Sequence, residues 1–220
     1  MSEENPPPAN AHAGDYREKR AGLAETGDCR SRTLPFLKNG VAQVGLVVKD
    51  LEMTVEAYWK LFGIGPWHFY TYGKPLVKRM SYHGQPTEYK MRVALSWLGP
   101  LRIELIEILE GETVYNEFIA KHGYGVHHFG LLVDDMPAAM AQAEAAGLTM
   151  TMDGAGFGLD DDGHYVYLDT EDAIGTTLEL IARPQRRMPP EKIYPEQPEP
   201  ASPPPCKDRG YRRTQRTNSD

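Results

Sequence analysis

The chain has 220 residues, 40% of them hydrophobic, with a formal net charge of −7. No apolar run approaches the roughly eighteen residues of a membrane-spanning helix, and the acidic balance argues against nucleic acid as a main partner. Two cysteines, Cys29 and Cys206, leave no disulfide framework and no Cys-ligated zinc module. The opening Met1 to Pro6 is acidic and prolyl rather than basic and apolar, so the expectation is a cytoplasmic protein.

Taken in order, residues 1–36 carry Pro6-Pro7-Pro8 and a mixed-charge run from Asp15 to Arg20, and read as a flexible N-terminal arm. A strand follows at Gln43-Val44-Gly45-Leu46-Val47-Val48, then Asp50 as an N-cap. The helix it starts, about 51–62, spaces Val55, Tyr58, Trp59 and Phe62 helically and stops at Gly63 and Gly65-Pro66. Strands are expected at 68–72 or 76–82, at 88–98 and at Leu101 to Ile106. The pattern then repeats. His128-Phe129-Gly130-Leu131-Leu132-Val133 matches the first strand, with its glycine at the same place, and Asp135 matches Asp50. An alanine-rich helix, about 136–146, ends at Gly147. Strands near 148–152 and 164–169 lead to Thr177-Leu178-Glu179-Leu180-Ile181, which lies over Arg102-Ile103-Glu104-Leu105-Ile106. Residues 184–220 hold nine of the eighteen prolines and read as a Pro-rich C-terminal arm. Its basic stretch, Lys207 to Arg216, reads as solvated tail rather than a nucleic-acid patch. The arms carry −1 and +3, leaving −9 on 37–183. The expected architecture is therefore α+β: two tandem βαβββ modules, about 41–110 and 123–183, between two arms.

Four polar residues interrupt the apolar strands: Gln43, Glu104, His128 and Glu179. The repeat equates Gln43 with His128 and Glu104 with Glu179. A pseudo-two-fold would bring them together, and carboxylates inside apolar strands are costly unless paired or bound to a metal. An imidazole, two carboxylates and an amide oxygen can make an octahedral site with two open positions. His127, adjacent to His128, is expected on the opposite face. Glu107 is expected to face away from Glu104, and Glu88 reads as a solvated strand end.

The paired βαβββ halves resemble the vicinal oxygen chelate superfamily, and the segments Gln43–Gly65, Ile103–Gly111 and Gly123–Asp135 are most similar to its glyoxalase and methylmalonyl-CoA epimerase branch. The resemblance spans about residues 41–183. It implies metal ligands at Gln43, Glu104, His128 and Glu179, with Glu179 and Glu104 as catalytic carboxylates. It implies one divalent ion (Mn, Co, Ni, Fe, Mg or Zn) and a small substrate with adjacent oxygens. The implied reaction is isomerisation, epimerisation or lyase chemistry, in which a proton moves through an enolate-like intermediate. A homodimer is expected, with no nucleic-acid or membrane partner. The alternative is a metal-free binding or resistance protein of the bleomycin-resistance type. An extradiol dioxygenase would need a second histidine where Gln43 stands. Trp67, Tyr70, Tyr165 and Tyr167, from an aromatic set that includes Phe69 and Tyr72, are substrate-binding candidates, together with Arg92 as an anion contact. Arg102 is a further candidate anion contact, and no larger arginine set is evident.

Overall fold

The computed structural model describes residues 33–196, so Pro6–Pro8, both cysteines and the Lys207–Arg216 stretch lie outside the described residues. The first half contains β1 (Gln43–Val47), α1 (Leu51–Phe62), β2 (Trp67–Tyr72), β3 (Arg79–Tyr82), β4 (Gln85–Pro86), β5 (Lys90–Leu98) and β6 (Leu101–Glu110). Helix α2 (Val114–His122) links the halves. The second half contains β7 (Gly125–Leu132), α3 (Met136–Ala145), β8 (Met150–Phe157), β9 (Gly163–Leu168), α4 (Glu171–Ile174) and β10 (Thr177–Ala182), and β11 (Lys192–Tyr194) follows. The strands form one mixed sheet in the order β11-β2-β5-β6-β1-β7-β10-β9-β8-β3-β4.

Each half starts in the same way. The Asp50 carboxylate accepts the Met53 N–H at 2.9 Å, and Asp135 accepts that of Ala138 at 3.0 Å. Each thereby satisfies an amide that a helix start leaves free. Gly63 closes α1 with φ 66°, a left-handed conformation that suits glycine. The halves meet where β1 runs antiparallel to β7, with β6 parallel to β1 on one side and β10 parallel to β7 on the other.

Alternation along the strands divides the side chains between two faces. On the outer face, α1 packs Leu51 and Val55 on Trp67, Phe69, Ala94, Ile103 and Leu105. Helix α3 packs Met136, Ala139 and Ala143 on Leu131, Val166, Leu168 and Leu180. Burying each large apolar side chain contributes roughly 1.5–3 kcal/mol. The inner face carries Tyr70, Met91, Val93, Tyr165 and Tyr167, with Tyr115 from α2 packed into the same core.

Several elements differ from the sequence expectation. Both 67–72 and 79–82 are strands, and the β3–β4 hairpin crosses to pair with β8 of the other half. Helix α2 was not expected; its first turn is fixed where Asn116 Oδ1 accepts the Thr113 N–H at 2.9 Å. Phe36, assigned to the N-terminal arm, is buried against the α3 layer. The C-terminal arm is not free from residue 184 onward. The segment crosses the mouth of the inner face, and β11 pairs antiparallel with β2. Prolines forbid a helix there, but an extended strap needs few backbone donors. Glu191 anchors it, accepting the Thr71 N–H at 2.8 Å and the Thr71 hydroxyl at 2.9 Å.

Candidate metal centre and cleft

The four central strands β6, β1, β7 and β10 bring Glu104, Gln43, His128 and Glu179 together on the inner face, where Arg102 of β6 also stands. All four come from one chain. Gln43, His128 and Glu179 are 1%, 0% and 4% exposed, so they are cut off from bulk water. The repeated glycine explains how four side chains share so little space. Gly45 lies in register between Glu104 and His128, and Gly130 lies between Gln43 and Glu179. A Cβ on Gly45 would fall 1.9 Å from His128 Cε1, and one on Gly130 would fall 2.8 Å from Gln43 Cβ and 3.1 Å from Glu179 Oε2.

The side chains close on one point. His128 Nε2 is 3.3 Å from Glu104 Oε2 and 3.2 Å from Glu179 Oε2. The Gln43 amide N–H group donates to both carboxylates at 2.8 Å and lies 3.3 Å from His128 Nε2. Its carbonyl accepts a hydrogen bond from Arg102 Nε. Burial pulls the His128 imidazole down, but Glu179 and Glu104 more than reverse this and push it up to about 9. The cluster thus needs a cation at its centre, either a proton on His128 or a metal.

Glu104, His128 and Glu179 place their ligand atoms within 4.8 Å of one another, a group that can hold a metal ion. One imidazole and two carboxylates suit a divalent ion of intermediate hardness. Gln43 fits the same ion only with its amide turned over, because the oxygen now faces Arg102. The turned amide would set its NH2 against the Arg102 N–H, donor against donor, so Arg102 must withdraw for Gln43 to become a fourth ligand.

His127 is not on the opposite face as expected. Gly45 pairs with His128 while Leu46 pairs with Val126, which leaves His127 as the extra residue of a bulge. Both imidazoles therefore lie on the inner side, with Nδ1 atoms 3.1 Å apart. His127 packs edge-on against Tyr115, Phe118 and Tyr167. Burial, followed by the charge of His128, pushes it down to about 2, so it is neutral.

The cluster forms the floor of a cleft walled by Tyr70, Tyr72, Tyr115, Phe157, Tyr165 and Tyr167. Tyr115 and Tyr167 share a 2.7 Å hydroxyl contact, as do Tyr89 and Tyr165. Burial raises the Tyr115, Tyr165 and Tyr167 phenols well above their ordinary value, so they remain protonated donors. Of the substrate-binding candidates, Tyr70, Tyr165 and Tyr167 line this cleft, and Trp67 and Arg92 do not. Strand alternation turns Trp67 to the outer face, under α1, where its indole N–H donates to the Ile64 carbonyl at 2.6 Å. Arg92 is also on the outer side, paired with Glu52 at 2.8 Å and lying over the Phe69 ring. Glu88 pairs with Lys74 at the surface, away from the cluster. Lining residues that the sequence reading did not name include Tyr115 from α2, Phe157 from β8, Arg183 just after β10 and Arg187 from the strap. Regular patterning marked none of them.

A two-module sheet with one polar group from each central strand defines a chelate-type fold. The chain belongs to the glyoxalase/bleomycin resistance protein/dioxygenase superfamily, matching that family over residues 42–167. Among solved structures it is similar to methylmalonyl-CoA epimerase from Mycobacterium tuberculosis, at 21% identity and TM-score 0.48, covering 71% of this chain and 97% of that one. A methylmalonyl-CoA epimerase from Streptomyces coelicolor in complex with 2-nitronate-propionyl-CoA gives 21% identity and TM-score 0.46, covering 68% and 97%. A hypothetical protein from Bacillus halodurans C-125 gives 18% and 0.45, covering 67% and 96%. No curated protein sequence matches the chain. Likeness at this level does not extend to the reaction. Among the described residues, no helix is long and apolar enough to cross a membrane.

Proposed function

We propose that the chain is a divalent-metal-dependent isomerase, epimerase or lyase acting on a small substrate with adjacent oxygens. The observation that carries this reading is the meeting of one imidazole with two carboxylates, each within 3.3 Å of His128 Nε2, from three of the four central strands, at the floor of an aromatic cleft. Glu104, His128 and Glu179 would hold the ion, joined by Gln43 once Arg102 releases its oxygen. Bound there, the ion supplies Lewis-acid stabilisation of negative charge on a substrate oxygen. Glu179 and Glu104 are the groups that move the proton, and their approach from β10 and β6 places them on opposite sides of His128. The ring wall excludes water and orients the substrate, and Tyr115 and Tyr167 keep hydroxyl donors beside the two carboxylates.

The test is solvent-deuterium incorporation, followed by proton NMR. The metal-loaded chain is incubated in deuterium oxide with a panel of α-hydroxy and α-keto carbonyl compounds. The expected result is exchange at the carbon beside the carbonyl for at least one compound. Glu179→Gln should lower it by about 10²–10⁴-fold, the usual contribution of a positioned acid–base group. Tight binding of a panel compound without exchange would instead favour the binding-protein reading. Full exchange in Glu179→Gln would remove Glu179 as the base.

A further inference from the structure

The cleft holds a basic group as well as the acidic cluster. Arg102 stands on β6 two residues from Glu104, on the same face, and Arg183 follows β10 two residues beyond Ile181. Arg187 lies on the strap that crosses the mouth, and all three guanidinium-bearing residues line one cavity. Among the described residues, neither Arg183 nor Arg187 makes an ion pair or a side-chain hydrogen bond. Arg187 is half-buried and Arg183 exposed; partial desolvation, then the charge of Arg102 on both and of Arg187 on Arg183, hold the two below the ordinary arginine value, with Glu104 pulling Arg187 partly back up. Arg102 gives Nε to Gln43, which leaves its terminal nitrogens for another acceptor. This concentration of positive charge stands in a core whose residues 37–183 sum to −9.

The strap is held so that Arg187 faces inward. The Leu159 N–H donates to the Arg186 carbonyl at 2.9 Å, and the Gln185 N–H donates to Asp162 at 3.0 Å. Arg186 is turned outward and engages Asp160 with its Nε at 2.8 Å. Consecutive arginines therefore have different fates: Arg186 is neutralised at the surface, while Arg187 is left in the cleft. Unpaired cations brought together on one wall incur repulsion that an anion would relieve, and guanidinium forks match the geometry of an oxyanion.

We infer that Arg102, Arg183 and Arg187 form an oxyanion subsite, which takes a carboxylate or phosphate group of the substrate while its adjacent oxygens face the Glu104–His128–Glu179 cluster. The inference deepens the proposed function and rests on it for the word substrate; the anion site itself does not depend on a metal. The substrate is then an anionic compound with an apolar or aromatic middle that spans the ring wall between the two ends.

The test uses the full chain, stripped of metal and dialysed, with calorimetric titration of three probes: glutarate, its neutral diamide, and inorganic phosphate. The expected result is saturable, salt-sensitive binding of glutarate or phosphate and at least about tenfold weaker binding of the diamide. Tighter glutarate identifies a carboxylate, and tighter phosphate a phosphoryl group. Arg187→Gln should weaken the preferred anion about tenfold or more. Arg187→Lys should fall between that variant and the parent. Lys121→Gln, at a cation on α2 already paired with Glu171, should leave binding unchanged. Equal binding of the neutral diamide, binding in Arg187→Gln within twofold of the parent, or no saturable anion binding would each overturn the inference. Because the protein is metal-free, failure here leaves the metal reading standing, and failure to take up metal leaves the anion site standing.

Discussion

At the scale of single residues, the adjacent histidines hold opposite protonation states. His128 keeps its proton up to about 9 because two carboxylates surround it, while buried His127 falls to about 2 from an ordinary 6.5. These shifts set a pH dependence for the metal-free chain. His128 has its folded value raised, so its stabilisation is whole below pH 6.5 and is lost as pH rises through about 9. His127 has its folded value lowered, so its contribution is whole above pH 6.5 and declines as pH falls. Denaturant unfolding across pH should therefore show a maximum near 6.5. His127→Phe should make the acid limb shallower, with the lowered carboxyls of Asp153, Glu52 and Glu171 keeping the rest of its slope, and leave the alkaline limb in place. An alkaline limb that does not slope would show that His128 carries no proton in the fold. The sequence told the two apart only by register, and the bulge at His127 is invisible to strict alternation.

At the scale of elements, the glycines of the two matching strands make the cluster possible. The repeat showed Gly45 and Gly130 at equivalent places, but only register shows why: each lies between two of the polar side chains. Gly45→Ala should drive the His128 ring from its position, and Gly130→Ala should separate Gln43 from Glu179. Overpacking of this kind costs about 1–3 kcal/mol, measurable by denaturant titration, and the larger effect should be on metal affinity. A Gly45→Ala chain that binds metal as tightly as the parent would mean that the ring is not held there. The four polar groups were legible because each broke an apolar strand at a repeated position. The faces of Trp67 and Arg92 were not, because an aromatic beside a helix breaker and an arginine in an alternating strand fit either side of a sheet.

At the scale of the whole molecule, the fold is two similar halves plus two additions that reach across the dyad. The β3–β4 hairpin extends the far edge, and the strap returns to pair with β2. The repeat made the halves legible, but neither addition follows a period, and the prolines of 184–190 disguised a segment fixed by a few specific bonds. Glu191→Ala removes both bonds from Thr71 and should cost about 1 kcal/mol. The amides of residues 192–194 should then exchange faster, with the central strands unaffected. Unchanged exchange there would show that β-pairing alone holds the strap. Arg187 should stay in place, because the bonds at Gln185 and Arg186 hold that part of the strap separately.

The function proposed for the cleft starts from Glu104, His128 and Glu179, the group that can hold a metal ion. The most direct measurement is divalent-metal uptake by the purified chain, by elemental analysis and titration with Mn, Co, Ni, Fe, Mg and Zn. Uptake should reach close to one equivalent per chain, tighten as pH rises toward about 9 because the ion displaces the His128 proton, and be lost in both His128→Ala and Glu179→Gln. A chain that takes up none of these ions, or whose uptake survives both substitutions, would contradict the metal reading.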